Sequence, residues 1–248
     1  MAYTHYNFKD FQSFCKNRAF ALQKHVSALP ADQFKENPWE LVRAIEDFAN
    51  TEKLPMIFRE TKMNLARAAL TDMSPKPKVM IEFGSFVGNS TVAWGAMMKE
   101  FYPDHNSGIR IYSFELDPEL AEIARDVVKL AGMSDIVTVV DGPGAESLKN
   151  LVNNGDLKTE SVDAVFFDHW EDIYLTDLKL CEELGVLHKG SVVLADNTDI
   201  PGAPKYLEYV RGNMDELAGT VRYQSKTHIV PNSSNSNGPR ALEVTIVV

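Results

Sequence analysis

The sequence predicts an α/β protein built on a doubly wound, mostly parallel β-sheet. Three observations indicate this fold class. Residues 1–74 show helical spacing of apolar side chains, short β-rich runs alternate with amphipathic segments beyond Pro77, and the last two β-rich runs have no helix between them. Strands that alternate with helices form a parallel sheet, whereas two strands without a crossover pair antiparallel. We therefore expect one domain, in which residues 1–74 are an N-terminal helical extension and residues 78–248 form the α/β core.

Three amphipathic helices are predicted before the sheet. The first covers Asn7–Leu29, where apolar residues recur at steps of three and four and so share one helical face. The second covers Leu41–Ala49. The third follows Pro55 and ends before the Pro-rich breaker at residues 74–77, and its repeating positions are Phe58, Lys62, Leu65, Ala66 and Ala69.

Seven strands are predicted in the remainder of the chain, with helices in the gaps. The best specified helix follows the second strand, because Asp117 can cap it, Pro118 suits its first position and Gly132 can end it. A further helix is expected near Ala203–Arg211, and a polar turn at residues 231–239 joins the last two strands. The predicted strands are Val79–Phe83, Ile109–Glu115, Ile136–Val140, Val162–Phe167, Ser191–Ala195, Thr220–Val230 and Ala241–Val248.

Composition excludes several classes of function. The 248 residues carry 25 Lys+Arg and 35 Asp+Glu, a formal charge of −10, and no basic stripe that would bind a nucleic-acid backbone. The two cysteines, Cys15 and Cys181, are too few for a disulfide scaffold and indicate a reducing compartment. We find neither a secretory leader nor an apolar run of about 18 residues. We therefore expect a cytoplasmic protein that binds neither nucleic acid nor membrane.

A glycine-containing loop follows the first predicted strand and opens a helix, which is the position of a cofactor loop in such sheets. It reads Glu82-Phe83-Gly84-Ser85-Phe86-Val87-Gly88-Asn89-Ser90. A dinucleotide fingerprint needs a glycine where Phe86 stands, so a diphosphate is disfavoured. Glu115 ends the second strand, where a carboxylate can bind the ribose of NAD or of S-adenosylmethionine. The alternative is that Gly84 and Gly88 only shape the turn.

Acidic and amide side chains end the fourth and fifth predicted strands. Asp168 follows the fourth strand, and Asp196 and Asn197 follow the fifth. Because these strands are expected to be neighbours that end at the same sheet edge, the three side chains should converge. Two carboxylates and one amide suit Mg²⁺, with positions left for water or substrate oxygens. The alternative is that the two aspartates cap the following helices.

With these segments in place, the chain resembles the catechol O-methyltransferase family from about Pro38 to the C-terminus. The most specific matches are Asp168-His169-Trp170 and Ala195-Asp196-Asn197, in that order and at matching separation. The other matching segments are the loop at residues 82–90, Phe114-Glu115-Leu116-Asp117-Pro118, Pro201-Gly202-Ala203-Pro204 and Tyr209-Val210-Arg211-Gly212. The resemblance implies a class I methyltransferase (Rossmann-like) fold with seven strands, S-adenosylmethionine as the cofactor, and Mg²⁺ bound by Asp168, Asp196 and Asn197.

The resemblance also implies which residues line the site. Met56 and Phe58 would border the methionine part of the cofactor, Glu115 would bind its ribose, and Leu116 would face its adenine. The complete cofactor set implied in this way is Met56, Phe58, Glu82, Gly84, Phe86, Ser90, Glu115, Leu116, Gly144, Asp168, His169 and Trp170. The implied substrate-binding set is Leu54, Trp170, Asn197, Pro201 and His228.

Five positions depart from the family pattern. Glu171 stands where the family has a lysine base, and His228 aligns with a family glutamate that binds the second catechol hydroxyl. Leu54 aligns with a tryptophan gatekeeper, and Gly144-Ala145 replaces a Ser-Gln pair at the adenine. We hypothesise that Glu171 or His228, as a hydrogen-bonded pair or singly, takes the substrate proton. The alternative is that neither residue is a base: Glu171 would be a carboxylate favoured at the start of a helix, and His228 a solvent-facing strand residue.

The function predicted from the sequence is metal-dependent O-methyl transfer from S-adenosylmethionine to a catechol or a related vicinal diol. Two other functions stay open at this point. One is an NAD-dependent oxidoreductase on the same kind of sheet, against which Phe86 argues. The other is a non-catalytic S-adenosylmethionine-binding protein, against which the three metal-type ligands argue. The sequence makes no prediction of oligomeric state or of the individual substrate.

Overall fold

The structure is a computed structural model in which residues 8–103, 108–212, 221–230 and 240–248 are described. These residues form a seven-stranded sheet in the order β3-β2-β1-β4-β5-β7-β6. Strands β1 to β5 run parallel to one another, β7 is antiparallel to β5, and β6 is antiparallel to β7. This arrangement confirms the predicted parallel sheet with an antiparallel C-terminal pair. The strands are β1 (Val79–Phe83), β2 (Arg110–Glu115), β3 (Val137–Asp141), β4 (Val162–Phe167), β5 (Leu187–Asp196), β6 (Tyr223–Ile229) and β7 (Ala241–Val247).

The described helices comprise four before the sheet and five within or after it. The three predicted N-terminal helices are present with shifted ends, and Ala31–Glu36 forms a short helix that the sequence analysis did not predict. The helices are α1 (Phe8–Ser27), α2 (Ala31–Glu36), α3 (Pro38–Glu52), α4 (Glu60–Asp72), α5 (Asn89–Phe101), α6 (Pro118–Leu130), α7 (Gly144–Asn153), α8 (Tyr174–Glu183) and α9 (Pro204–Arg211). Two single turns, Glu171–Ile173 and Thr198–Gly202, follow β4 and β5.

The predicted ends of α6 are confirmed. The Asp117 carboxylate accepts hydrogen bonds from the backbone N–H groups of Glu119 and Leu120, and Pro118 occupies the first helical turn. Gly132 follows the helix with a φ of +64°, a conformation that glycine adopts without steric cost. The predicted turn at residues 231–239 lies outside the described residues, as does Thr220 at the predicted start of β6.

Apolar side chains cover both faces of the sheet. One cluster joins the N-terminal helices to α5, α6 and the strands, and includes Leu22, Leu41, Trp94 and Val127, each with no exposed surface. The other cluster lies under α7, α8 and α9. Because the N-terminal helices bury their apolar faces in the same cluster as the sheet, they belong to one hydrophobic core. Within the described residues, no helix combines the length and apolarity that a membrane span needs.

Candidate active site

The loop after β1 lies against the end of β4 because its first residue has no side chain. Gly84 has a φ of +103°, and a Cβ atom there would lie 2.5 Å from the backbone oxygen of Asp168. Only glycine fits such an approach without a shift of the backbone. The glycine loop and the acidic end of β4 are therefore held side by side.

The loop also reaches the end of β2. Phe86 has a φ of +46°, an uncommon conformation for a bulky residue, and its N–H donates to Oε2 of Glu115 at 2.8 Å. The N–H of Asp117 donates to Oε1 of the same carboxylate at 3.0 Å. Burial raises the pKa of Glu115, while these two N–H groups act in the opposite direction. The structure thus places Glu115 beside the loop, as the strand-end position predicts.

Glu82 lies beneath the loop. Its side chain is fully buried and accepts hydrogen bonds from Thr91 Oγ1 (2.5 Å), Trp94 Nε1 (2.8 Å) and the Ser113 hydroxyl. A hydrogen bond from Ser90 also favours the charged form of Glu82. Burial is the larger effect, and it raises the pKa of the Glu82 carboxyl. These hydrogen bonds join Glu82 on β1 to β2 and α5 inside the core. A direct contact with a cofactor stays a prediction of the family resemblance.

Phe58 and Leu54 are both buried in the core, and their contacts with a cofactor or substrate stay predictions. The Phe58 ring packs against Phe166, with ring centroids 4.8 Å apart, and its backbone oxygen accepts a hydrogen bond from Asn89 Nδ2 at the start of α5 at 3.0 Å. Leu54 is 1% exposed. Both are apolar residues next to amphipathic helices, and both belong to the hydrophobic core that these helices form with the sheet.

Apolar side chains are exposed around this edge of the sheet. Met56 is 55% exposed, Leu116 72% and Trp170 67%, and Pro201 is also exposed. Single exposed apolar residues are common, but several such residues near converging polar groups are typical of a ligand site.

Gly144 lies at the start of α7, where a Cβ atom would come within 2.6 Å of the Phe83 ring. The glycine at this position is thus explained by packing.

The strand-end side chains Asp196 and Asn197 meet a lysine that the sequence analysis placed only on a helical stripe. Lys62 Nζ on α4 lies 2.7 Å from Asp196 Oδ1 and 2.7 Å from Asn197 Oδ1. Both partners of this ion pair are nearly excluded from solvent, with side-chain exposures of 10% for Lys62 and 6% for Asp196. Asn197 holds a left-handed backbone, with a φ of +55°. The oxygens predicted to bind a cation therefore face an ammonium group.

Asp168 belongs to the same charge cluster. Burial raises its pKa well above the usual range, the negative charge of Asp196 raises it further, and the Lys62 ammonium opposes both. Burial also raises the pKa of Asp196, against the effect of Lys62. Across the described residues, no group of three or more His, Cys, Asp or Glu side chains is arranged to hold a metal ion. The predicted set contains only two carboxylates, and its third donor is the Asn197 amide.

The two candidate bases come from different elements, the turn after β4 and the edge strand β6. Glu171 begins the turn after β4; burial raises its pKa, and the Asn197 side chain favours its charged form. His228 pairs in register with Leu242, which in turn pairs with Asp196. It therefore faces the same side of the sheet as Asp196, two strands away, or about 10 Å. No hydrogen bond joins Glu171 to His228 where both are described, so the predicted pair does not form here.

His169 is oriented by a carboxylate that the sequence analysis did not single out. Its Nε2 lies 2.6 Å from Oδ2 of buried Asp177 on α8, and its ring stacks on Tyr174 with centroids 5.1 Å apart. With Nε2–H donated to Asp177, Nδ1 is an acceptor. Among the described atoms, this Nδ1 is buried without a hydrogen-bond partner. The site therefore holds an acceptor that a ligand donor can use.

Lys62 and Asp177 are the functional candidates that sequence reasoning missed. A lysine on an apolar helical stripe was the available signal for Lys62, because a buried ammonium needs a charged partner. Asp177 lies in the first turn of α8, where its helix-start position accounts for an aspartate and conceals the contact with His169.

Comparisons with known proteins agree with this geometry. Residues 81–198 match the family described as Methyltransferase domain. Catechol O-methyltransferase from Bos taurus is 37% identical over 177 residues, which are 71% of this chain and 61% of that protein. Catechol O-methyltransferase B from Danio rerio is 32% identical over 191 residues, 77% of this chain and 68% of that protein. The chain thus spans about three fifths to two thirds of the length of these relatives.

Solved structures agree at the level of the fold. The O-methyltransferase from Bacillus cereus, in complex with SAH, has a TM-score of 0.62 and 17% identity, and the match covers 92% of this chain and 97% of that chain. The O-methyltransferase TomG from Streptomyces achromogenes, in complex with SAM, has a TM-score of 0.56 and 18% identity, with coverages of 80% and 85%. These structures show the same fold, and the identity to the Danio rerio enzyme over two thirds of its length shows that the chain belongs to the catechol O-methyltransferase family.

Proposed function

We propose that this protein transfers a methyl group from S-adenosylmethionine to a hydroxyl of a catechol or a related vicinal diol. The observation that carries the proposal is the meeting of two sets of groups at one sheet edge. The loop at Gly84 and the Glu115 carboxylate form one set, and Asp168, Asp196 and Asn197 form the other. A cofactor site and a cation site side by side suit methyl transfer to a chelating substrate.

The residues around the loop support S-adenosylmethionine over NAD. Phe86 stands where the binding of a pyrophosphate would need a glycine. The Glu115 carboxylate is held at the end of β2, where it could accept hydrogen bonds from two ribose hydroxyls. His169, which precedes exposed Trp170, offers Nδ1 as a further hydrogen-bond acceptor. The relatives and solved structures that match the chain are named as methyltransferases, and two of the structures contain SAM or SAH.

A divalent cation is part of the proposal, held by the side-chain oxygens of Asp168, Asp196 and Asn197. The donor set fits, because two of its three oxygens already contact a positive charge at 2.7 Å. Carboxylate and amide oxygens are the ligands that Mg²⁺ prefers. When bound, Mg²⁺ supplies charge that lowers the pKa of a coordinated hydroxyl.

The chain itself would orient the substrate and accept its proton. Trp170, which follows Asp168 closely in sequence, and Pro201, which follows Asn197, are exposed and would give the substrate apolar walls. Glu171, next to the Asn197 amide, is the nearer candidate for the base, and His228 faces the same side of the sheet from farther away. Fixing the hydroxyl oxygen in line with the sulfonium methyl supplies most of the acceleration.

The base assignment is tested by replacing Glu171 with Gln and His228 with Ala in separate variants. We expect at least one of them to lower kcat with a catechol by about 10²-fold or more, the usual contribution of a general base. Asp172→Asn is the matched control, since this exposed neighbour of Glu171 should leave kcat unchanged. Full turnover in both variants would remove the base assignment.

Ligand-dependent unfolding separates this function from the two alternatives. At a concentration about 100 times its Kd, S-adenosylhomocysteine should stabilise the protein by about 2.7 kcal/mol, whereas NADH should not. Stabilisation by NADH alone would indicate an oxidoreductase. Stabilisation by S-adenosylhomocysteine without methylation of any catechol would indicate a non-catalytic binding protein.

A further inference from the structure

Lys62 is a charged residue on the buried face of α4. The neighbours that share this face are Met63, Ala66 and Leu70, all nearly inaccessible to solvent. An ammonium group is buried only where opposite charge compensates its loss of hydration. Asp196, whose Oδ1 lies 2.7 Å from Nζ, supplies that charge.

The oxygens that bind Lys62 are those assigned to a divalent ion under the proposed function. Nζ contacts Oδ1 of Asp196 and Oδ1 of Asn197 at equal distances of 2.7 Å. An Mg²⁺ ion bound to the same two oxygens at about 2.1 Å would lie no more than about 5 Å from Nζ. Two cations that close repel each other, and most strongly in a buried site. Stable binding of the ion therefore requires the ammonium to move away.

We propose that Lys62 is a built-in counter-cation of this site, which balances the buried charge of Asp196 when no divalent ion is present and is displaced when one binds. The inference rests on the proposed function only in taking Asp168, Asp196 and Asn197 as the ion ligands. The four-carbon stem of lysine is flexible enough to move without unwinding α4. The apparent ion affinity is then lowered by the fraction of molecules in which Lys62 has left the site.

The direct test is a titration of the full chain with Mn²⁺, followed by electron paramagnetic resonance without S-adenosylmethionine or catechol. Lys62→Met keeps the length of the side chain and removes its charge. We expect this variant to bind Mn²⁺ at least about tenfold more tightly than the natural sequence, because the competing cation is gone. Lys149→Met is the control, since Lys149 is an exposed residue on α7, and it should bind Mn²⁺ like the natural sequence. Equal or weaker binding by Lys62→Met overturns the inference.

Thermal unfolding with and without MgCl2 gives a second readout, on Lys62→Gln, which keeps a polar side chain beside Asp196. We expect Lys62→Gln to melt at a lower temperature than the natural sequence in chelator and to gain more from MgCl2. Equal gains in the two proteins contradict the inference.

These readouts separate the inference from the proposed function. Equal Mn²⁺ affinities together with chelator-sensitive methylation of a catechol overturn the role of Lys62 and leave the function intact. Absence of Mn²⁺ binding in every variant overturns both the ion site and the role of Lys62.

Discussion

Three residues of the candidate site have left-handed backbone conformations, which residues other than glycine rarely adopt. Met56, Phe86 and Asn197 have φ values of +60°, +46° and +55°. Such conformations cost on the order of 1–3 kcal/mol each and persist where the surrounding structure enforces them. All three lie at positions assigned to cofactor, substrate or ion. We interpret this strain as the consequence of placing backbone and side-chain groups for ligands.

Gly84 provides a sharp test at the residue scale. Gly84→Ala should destabilise the protein by about 3 kcal/mol or more, because the new Cβ would meet the Asp168 backbone and the φ of +103° is unfavourable. Gly155→Ala is the matched control: its φ is +81° and nothing lies within 4 Å, so only the backbone term of about 1–2 kcal/mol applies. Urea unfolding measures both, and equal losses would contradict the role of close approach at Gly84.

Sequence reasoning located residues whose positions follow from strand ends. Glu115, Asp168 and Asp196 each close a strand of a parallel sheet, so the sequence predicts their shared edge. It could not predict the contact of Lys62 with Asp196, which joins residues 134 positions apart through the docking of α4. Nor could it predict that Leu54 is buried, because burial depends on how the N-terminal helices pack.

At the scale of elements, an ion pair fastens α9 to the C-terminal strands. Arg211 Nε and a terminal nitrogen donate to the two carboxylate oxygens of Glu243 at 2.9 and 2.6 Å. Ser225 and Thr227 on β6 donate to the same carboxylate, which is fully buried on β7. A bidentate pair of this kind fixes orientation as well as distance. It therefore holds α9, β6 and β7 together beside the strand that carries Asp196.

Arg211→Met should remove this link and leave a buried carboxylate without its cation. We expect a loss of about 2–4 kcal/mol in the free energy of unfolding, because removal of one partner leaves a buried charge unpaired. The hydroxyl groups of Ser225 and Thr227 still donate to Glu243 and limit the loss. Arg125→Met is the control: both arginine side chains are 42% exposed, but the partner of Arg125, Asp141, is 53% exposed. That variant should lose less than about 1 kcal/mol. Similar losses in the two variants would refute the importance of the buried partner.

The sequence predicts elements best where spacing is regular and long. The helix at α6 was predicted with both ends because its cap residues are explicit. The first part of β5, from Leu187, was missed because His188-Lys189-Gly190 lacks β-rich composition, although an irregular register with β4 still pairs Leu187 with Val162. Helix α2 was missed because six residues with one buried side chain, Phe34, show no periodicity.

At the scale of the whole molecule, the N-terminal helices and the sheet share one core. Lys16 on α1 binds the Asp117 carboxylate at 2.8 Å, and Gln23 binds Asp126 on α6 at 2.6 Å. Leu22 and Leu41 lie in the same apolar cluster as Trp94. The single domain with an N-terminal helical extension stays a prediction, which a truncation can test.

Removal of residues 1–74 should therefore expose the apolar face of α5 and α6. We expect the fragment to lose cooperative unfolding, which urea titration followed by near-ultraviolet circular dichroism measures. The full chain is the reference and should unfold in one cooperative transition. A fragment that unfolds as sharply as the full chain would show that the extension is a separate unit.

The most direct test of the account is methyl transfer itself. The full chain is incubated with S-adenosylmethionine labelled in its methyl group, a catechol and MgCl2, with and without a chelator, and the product is identified by mass. We expect a singly O-methylated catechol that forms with MgCl2 and is lost with chelator. Absence of any methylated catechol would contradict the proposed function, and equal yields with chelator would contradict the ion site at Asp168, Asp196 and Asn197.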